Sequence, residues 1–261
     1  MKLLIDAGNS RIKWALVNQQ DWLRSGVLPV EQADKFAQQF AELRDLRHSD
    51  IQQIWVSNVA GEKIARHLAD MAAGLHVLPH YIVARQAQGG VRNGYANPAQ
   101  LGSDRWAALI AAWHQVRGAC LVVNCGTATT IDTLSDQGEF LGGLILPGVE
   151  LMQRSLIAAT DQLRPSVGKV GEGKTGEDEI SWGEYVSQPK NTADALYSGA
   201  IRASCGAIQS QYALLGDARA PVVLGGGAAG LLQAQLGMPL RVVDNLVLQG
   251  LLIIAREAEG R

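Results

Sequence analysis

The sequence predicts an α/β protein of two domains with related topology, and three observations carry that expectation. The chain opens with an apolar strand at residues 3–5, a Gly/Asn turn, and a β-prone run at 12–17, which reads as a hairpin. Half a chain later the pattern returns, with a strand at 120–124, a polar turn at 125–129 and a strand at 130–134, so that Asp6 falls on Asn124 and Gly8 on Gly126. Near the C-terminus a glycine-rich turn, Gly225-Gly226-Gly227, joins a strand at 221–224 to a helix at 231–236. The boundary is expected between domains of residues 1–117 and 118–261.

The remaining elements follow in order. A strand is expected at 54–57, a helix at 62–73 and a strand at 77–83. Trp106, Leu109, Ile110 and Trp113 recur at helical spacing, with Ser103 placed to cap that helix and Gly118 to stop it. Both tryptophans therefore read as core. A third strand of the second repeat is expected at 140–146, a further strand at 240–243 and a closing helix at 247–257. The polar, glycine-rich stretch 168–183 reads as a loop.

Bulk properties narrow the function classes. With 261 residues and 47% hydrophobic content the chain can bury cores for two domains. A formal net charge of −2 offers no electrostatic footprint for nucleic acid or an anionic membrane, so neither is expected as a partner. The three cysteines are odd in number and lack CxxC spacing, which argues against a disulfide framework or a zinc site and for a reducing cytoplasm. The apolar run at the N-terminus breaks at Asp6, too early for a signal-peptide core, and no membrane span is expected.

The polar turns carry the candidate chemistry. A turn of Gly, Asn, Ser and Thr between strands can aim backbone N–H groups and hydroxyls at a phosphate, while a leading aspartate can hold the accompanying magnesium. One such turn reads equally well as an ordinary hairpin; two in parallel layout plus the third glycine turn are what a nucleotide cleft between related domains requires. The quartet Gly102-Ser103-Asp104-Arg105 puts a carboxylate and a guanidinium at a helix start, where the helix dipole favours the ionised carboxylate. Surface capping would explain the pair alone. Beside a phosphate cleft, Asp104 could accept a hydroxyl proton and Arg105 could fork onto an anionic substrate group.

Taken together, Asp6-x-Gly8-Asn9-Ser10-x-x-Lys13, Gly102-Ser103-Asp104-Arg105, Gly126-Thr127-Ala128-Thr129-Thr130-x-Asp132 and Asn191-Thr192-x-x-Ala195 resemble type III pantothenate kinase, a family that also contains the Bvg accessory factors. Gly142-Gly143-x-Ile145-x-Pro147-Gly148 and Asn245-Leu246-Val247-Leu248-x-Gly250-Leu251 extend the match over nearly the whole chain. The resemblance implies two RNase H-like domains of the acetate and sugar kinase, Hsp70 and actin superfamily with an ATP cleft between them. It implies phosphorylation of the primary hydroxyl of pantothenate by ATP with Mg2+, the first step toward coenzyme A, usually in a homodimer. ATP would contact Asp6, Ala7, Gly8, Asn9, Ser10, Arg11, Ile12, Lys13 and Thr127; Asp104 would be the proton acceptor. Pantothenate would contact Tyr95, Gly102, Ser103, Asp104, Arg105 and Thr192. The family's monovalent cation, K+ or NH4+, is held by a carboxylate where this chain has Asn124, so that site is expected to be weakened or lost. An ATP-hydrolysing switch and a non-catalytic regulator are the other classes compatible with such a fold.

Two rival nucleotide motifs fail on context. The stretch Gly168-Lys169-Val170-Gly171-Glu172-Gly173-Lys174-Thr175 fits the P-loop pattern but lacks a preceding buried strand and a following apolar helix. The run Gly225 to Gly230 fits the dinucleotide fingerprint, but only one further strand follows where a dinucleotide domain needs several. Cys125 has no partner base nearby in sequence and reads as packing; His48, His67, His76, His80 and His114 show no metal-ligand spacing.

Overall fold

The structure, a computed structural model, describes residues 1–41, 51–160 and 183–260. The chain begins with an antiparallel meander of β1 (Lys2–Ala7), β2 (Arg11–Asn18) and β3 (Asp21–Pro29). After helix α1 (Phe36–Ala41), β4 (Gln53–Asn58) pairs parallel to β1, and helix α2 (Glu62–Gly74) returns the chain to β5 (Pro79–Tyr81). The sheet order is β3-β2-β1-β4-β5. Strand β3 is missing from the sequence reading because its residues DWLRSGVLP are largely exposed and show no apolar alternation; the ladder to β2 holds it in place.

A hairpin of β6 (Ala87–Gln88) and β7 (Val91–Asn93) leads to helix α3 (Ser103–Val116). The second half then repeats the plan. Strands β8 (Cys120–Cys125), β9 (Ala128–Leu134) and β10 (Glu139–Pro147) form a meander, followed by helices α4 (Val149–Ala159) and α5 (Thr192–Ala213). Strand β11 (Val222–Gly225) pairs parallel to β8, helix α6 (Ala229–Gln233) leads to β12 (Leu240–Val242), and α7 (Leu246–Glu259) closes the described chain. Counted from its meander, this sheet has the order of the first, with β7 and β6 added beyond β10. Both added strands precede residue 117, so the sheets do not divide at the expected boundary; pairing β7 to β10 covers what would otherwise be an open edge.

Alternation along β1 sends Leu3, Ile5 and Ala7 into a core with Phe36 and Leu68, and Leu4 to the opposite face against Leu248 and Leu251 of α7. Helices α3 and α7 pack on each other between the two sheets, with Trp106 fully buried as expected. Their approach is close enough that a Cβ on Gly250 would stand 1.9 Å from the Ala107 carbonyl oxygen. Two end assignments shift by one residue. Gly102, not Ser103, is the N-cap of α3, because the Ser103 side chain turns toward β4; at the other end Arg117 itself takes the left-handed C-cap conformation with φ 50°. The segment 168–183 and its P-loop-like stretch 168–175 lie, except for Gly183, outside the described residues, as does His48. No described helix is long and apolar enough to cross a membrane.

Candidate active site

Three turns converge at the ends of the central strands. In the first, the Gly8 N–H donates to the Arg11 carbonyl at 3.0 Å; in the second, the Gly126 N–H donates to the Ala128 carbonyl at 3.0 Å. The two turns face each other and touch, with Ser10 Oγ and Thr127 Oγ1 2.6 Å apart in a shared hydrogen bond. The third turn is drawn against the second: the Ala228 N–H donates to the Cys125 carbonyl at 3.1 Å. Gly226 has φ 95°, and a Cβ there would come within 2.4 Å of the Cys125 backbone, so both conformation and approach require glycine. A Cβ on Gly227 would lie 3.5 Å from Arg11 Nη1, which places the Arg11 guanidinium between the first and third turns.

The carboxylates enter from β1 and α3. Asp6 lies opposite Lys13 on β2 and opposite Ser57 on β4. Ser57 is fully buried, and its Oγ shares a 2.9 Å bond with Ser103 Oγ. That bond pins the start of α3 beside the end of β1 and brings Asp104 near Asp6. Asp104 Oδ1 accepts the Arg105 N–H at 2.8 Å. Burial, and then the neighbouring Asp104 carboxylate, push the Asp6 pKa up to about 7, with Lys13 pulling it partly back. Two carboxylates opposed by one lysine form a donor set short of positive charge, which suits a bound cation.

A stability prediction follows from that shift. Because the folded-state pKa stands above the unfolded value, ionising Asp6 penalises the folded state progressively as pH rises from about 4 to about 7. Asp6→Asn should therefore raise the melting temperature of the ligand-free protein at pH 8 and do so much less at pH 5. Equal shifts at both pH values would mean that the carboxylate is ionised throughout.

Arg105 does not present a free fork. Its side chain is only 7% exposed, and its Nε donates to Asp132 Oδ1 and Oδ2 at 3.2 and 3.1 Å while Nη2 pairs with Oδ1. Nη1 donates to the Tyr95 hydroxyl at 3.1 Å, and the guanidinium lies over the Tyr95 and Phe140 rings. The anion fork read from the quartet is thus engaged inside the chain. Burial works against the Arg105 charge, and the bonds to Asp132 more than reverse that effect, leaving its pKa above the ordinary arginine value.

Asn124 takes in β8 the place that Asp6 takes in β1, opposite Thr130 and Gly225. Its amide offers a carbonyl oxygen without charge, and among the described residues no three of His, Cys, Asp and Glu cluster to hold a metal ion. Thr192 is the first residue of α5, whose N-cap Asn191 accepts the Asp194 N–H at 2.9 Å. It lines a groove of about 460 Å³ with Met152 and Leu156, and no described hydrogen bond or ion pair links it to Asp104. Cys125 is buried and its thiol is pushed up to about 12, which removes it as a nucleophile at neutral pH. Among the described residues a single strand, the three-residue β12, follows the Gly225 to Gly230 run, too little for a dinucleotide domain.

The family model for type III pantothenate kinase matches residues 2–214. A type III pantothenate kinase from Nitrosospira multiformis is 47% identical over 258 residues, covering 98% of this chain and 91% of that protein. One from Aromatoleum aromaticum is 45% identical over 262 residues, covering 98% of each. This chain belongs to the type III pantothenate kinase family. Among solved structures, a protein described as a 2-dehydro-3-deoxygalactonokinase from Sinorhizobium meliloti superposes with a TM-score of 0.59 at 16% identity, over 98% of this chain and 96% of that one. The chain accordingly shares the fold of that protein.

In this member of the type III pantothenate kinase family, sequence reasoning missed two residues that build the site. Ser57 shows only as a polar residue ending an apolar run, and its bond to Ser103 depends on pairing across 46 positions. Asp132 stands in a quoted motif, yet its partner Arg105 comes from a different element, and no local spacing reveals the pair.

Proposed function

We propose that this protein transfers the γ-phosphoryl group of ATP to the primary hydroxyl of pantothenate, forming 4'-phosphopantothenate at the first step of coenzyme A biosynthesis. The observation that carries the reading is the contact of the Ser10 and Thr127 turns, with Asp104 secured beside Asp6 through the Ser57 to Ser103 bond. Phosphoryl transfer passes through a loose transition state, so the protein's work is positioning and charge neutralisation. The two hydroxyls exchange their mutual bond for phosphate oxygens when ATP enters, alongside Lys13 and the backbone N–H groups of Asn9 and Ser10. Asp104 orients the acceptor hydroxyl and takes its proton late, as the bond to phosphorus forms. Asp6 would hold a magnesium ion, which supplies charge neutralisation at the phosphate oxygens when bound.

Tyr95, Thr192 and the residues from Gly102 to Arg105 form the pantothenate side of this reading, with Tyr95 and the first turn of α3 joined through Arg105. A homodimer belongs to it as well: Leu141, Leu144 and Ile145 on β10 and Leu151 and Leu156 on α4 are exposed apolar side chains that such an interface would bury. The three buried free cysteines suit a reducing cytoplasm. The decisive experiment incubates the protein with ATP, magnesium and pantothenate and reads the product by mass spectrometry. Phosphopantothenate supports the proposal; ATP turnover without an acceptor would indicate a switch, and ligand binding without product a regulator.

Asn124 adds a prediction. Without a carboxylate at this position a monovalent cation loses its charged ligand, so turnover should be the same in sodium, potassium and ammonium buffers. Saturable activation by potassium alone would show that the amide carbonyl suffices.

A further inference from the structure

The Arg105 cluster has a direction built into its hydrogen bonds. Asp132 is 1% exposed, and both of its oxygens accept from Arg105, which fixes the guanidinium in one rotation. Arginine has only donors, so the remaining bond from Nη1 to Tyr95 makes the phenol oxygen the acceptor. The Tyr95 proton therefore cannot point at Arg105. Tyr95 is only partly buried, with its ring against Phe140 at 5.3 Å and its backbone N–H on Asn93 Oδ1 at 3.0 Å, so the ring is held in place while its O–H proton is left for a partner other than Arg105. The cluster leaves no slack: a Cβ on Gly143 would lie 2.2 Å from Asp132 Oδ1 and 2.9 Å from Arg105 Nη2. Arg105 directly follows Asp104, so the cluster opens beside the proposed proton acceptor.

We infer that Asp132 is a positioning residue for the acceptor substrate: through Arg105 it orients the Tyr95 hydroxyl as a hydrogen-bond donor to an acceptor oxygen of pantothenate. The inference rests on the pantothenate reading and deepens it. Because Asp132 balances the Arg105 charge, the pair offers the pocket a directed O–H rather than an unpaired cation. Discrimination then comes from the geometry of that donor, since an analogue lacking the matching oxygen leaves it unpaired.

The test is steady-state kinetics on wild type, Asp132→Asn, Tyr95→Phe and the double variant of these two. Asp132→Asn should raise KM for pantothenate about tenfold, as expected for a single lost hydrogen bond, with a smaller change in kcat and no change in KM for ATP. Tyr95→Phe should do the same, and the double variant should be no worse than either single one, because both remove the same bond. Breaking a buried pair can also prevent folding, so the replacement of both partners, Arg105→Met with Asp132→Leu, is the second arm. It should recover thermal stability and still show the raised KM. An unchanged KM in Asp132→Asn, additive effects in the double variant, or a KM that recovers along with stability would each overturn the inference. Wild-type protein that fails to phosphorylate pantothenate would overturn the function reading and this inference with it, and is recognised before any variant is made.

Discussion

Asp104→Asn should lower turnover at least about 100-fold while pantothenate still binds, because a positioned proton acceptor contributes roughly 100-fold to 10,000-fold. The substitution keeps the shape of the side chain, and its amide oxygen can still accept the Arg105 N–H that Asp104 Oδ1 accepts at 2.8 Å. The start of α3 is held independently by the Ser57 to Ser103 bond, so the backbone should not move. What disappears is the capacity to take a proton from the acceptor alcohol. Rapid-mix or steady-state kinetics should show the loss in kcat, with binding of pantothenate measured calorimetrically and retained. Turnover within about tenfold of wild type would remove Asp104 from the role. The same substitution removes a charge that raises the Asp6 pKa, so Asp6 should titrate lower in the variant.

Gly250→Ala should destabilise the protein, although helix propensity alone predicts the opposite sign by about 1 kcal/mol. Gly250 lies within α7, where alanine would normally be favoured. Here the added methyl would meet the Ala107 carbonyl oxygen at 1.9 Å and its carbon at 2.4 Å, both backbone atoms of a packed helix that cannot rotate away. Relief requires α3 and α7 to separate, and overpacking of this kind costs roughly 2–3 kcal/mol. For a protein of this size that corresponds to a fall in melting temperature of roughly 5–10 °C, read by calorimetry. Activity should fall too, since α3 carries Asp104 and a displacement of about 1 Å at a reacting group can cost about 100-fold. A variant with unchanged or raised melting temperature would show that the two helices separate easily.

Much of the fold was legible because its signals are local. The hairpins at 2–18 and 120–134, the α2 and α3 helices and the closing unit all declare themselves through apolar period and turn residues. Elements without such a signal were missed: exposed β3, the two-residue β6 and three-residue β7, whose existence depends on pairing rather than on their own residues. Helices α4 and α5 were also passed over. Ser103 illustrates the limit at the level of one side chain. Its residue type and position fit a helix cap, but a buried hydroxyl on β4 competes for it and wins, because an unpaired Ser57 with no access to water would be costly.

By itself the amino-acid sequence determined that two polar turns of like pattern head the two halves, that the second has an amide where the first has an acid, and that a carboxylate and a guanidinium begin one helix. These are properties of consecutive residues, and backbone preference for Gly, Asn and apolar alternation writes them locally. Only the tertiary structure decided that Ser10 meets Thr127, that Ser57 ties α3 to β4, and that Arg105 pairs with Asp132. Each of those outcomes joins residues far apart in the chain, and burial rules them: once water is excluded, every polar group must find its partner wherever the fold places one.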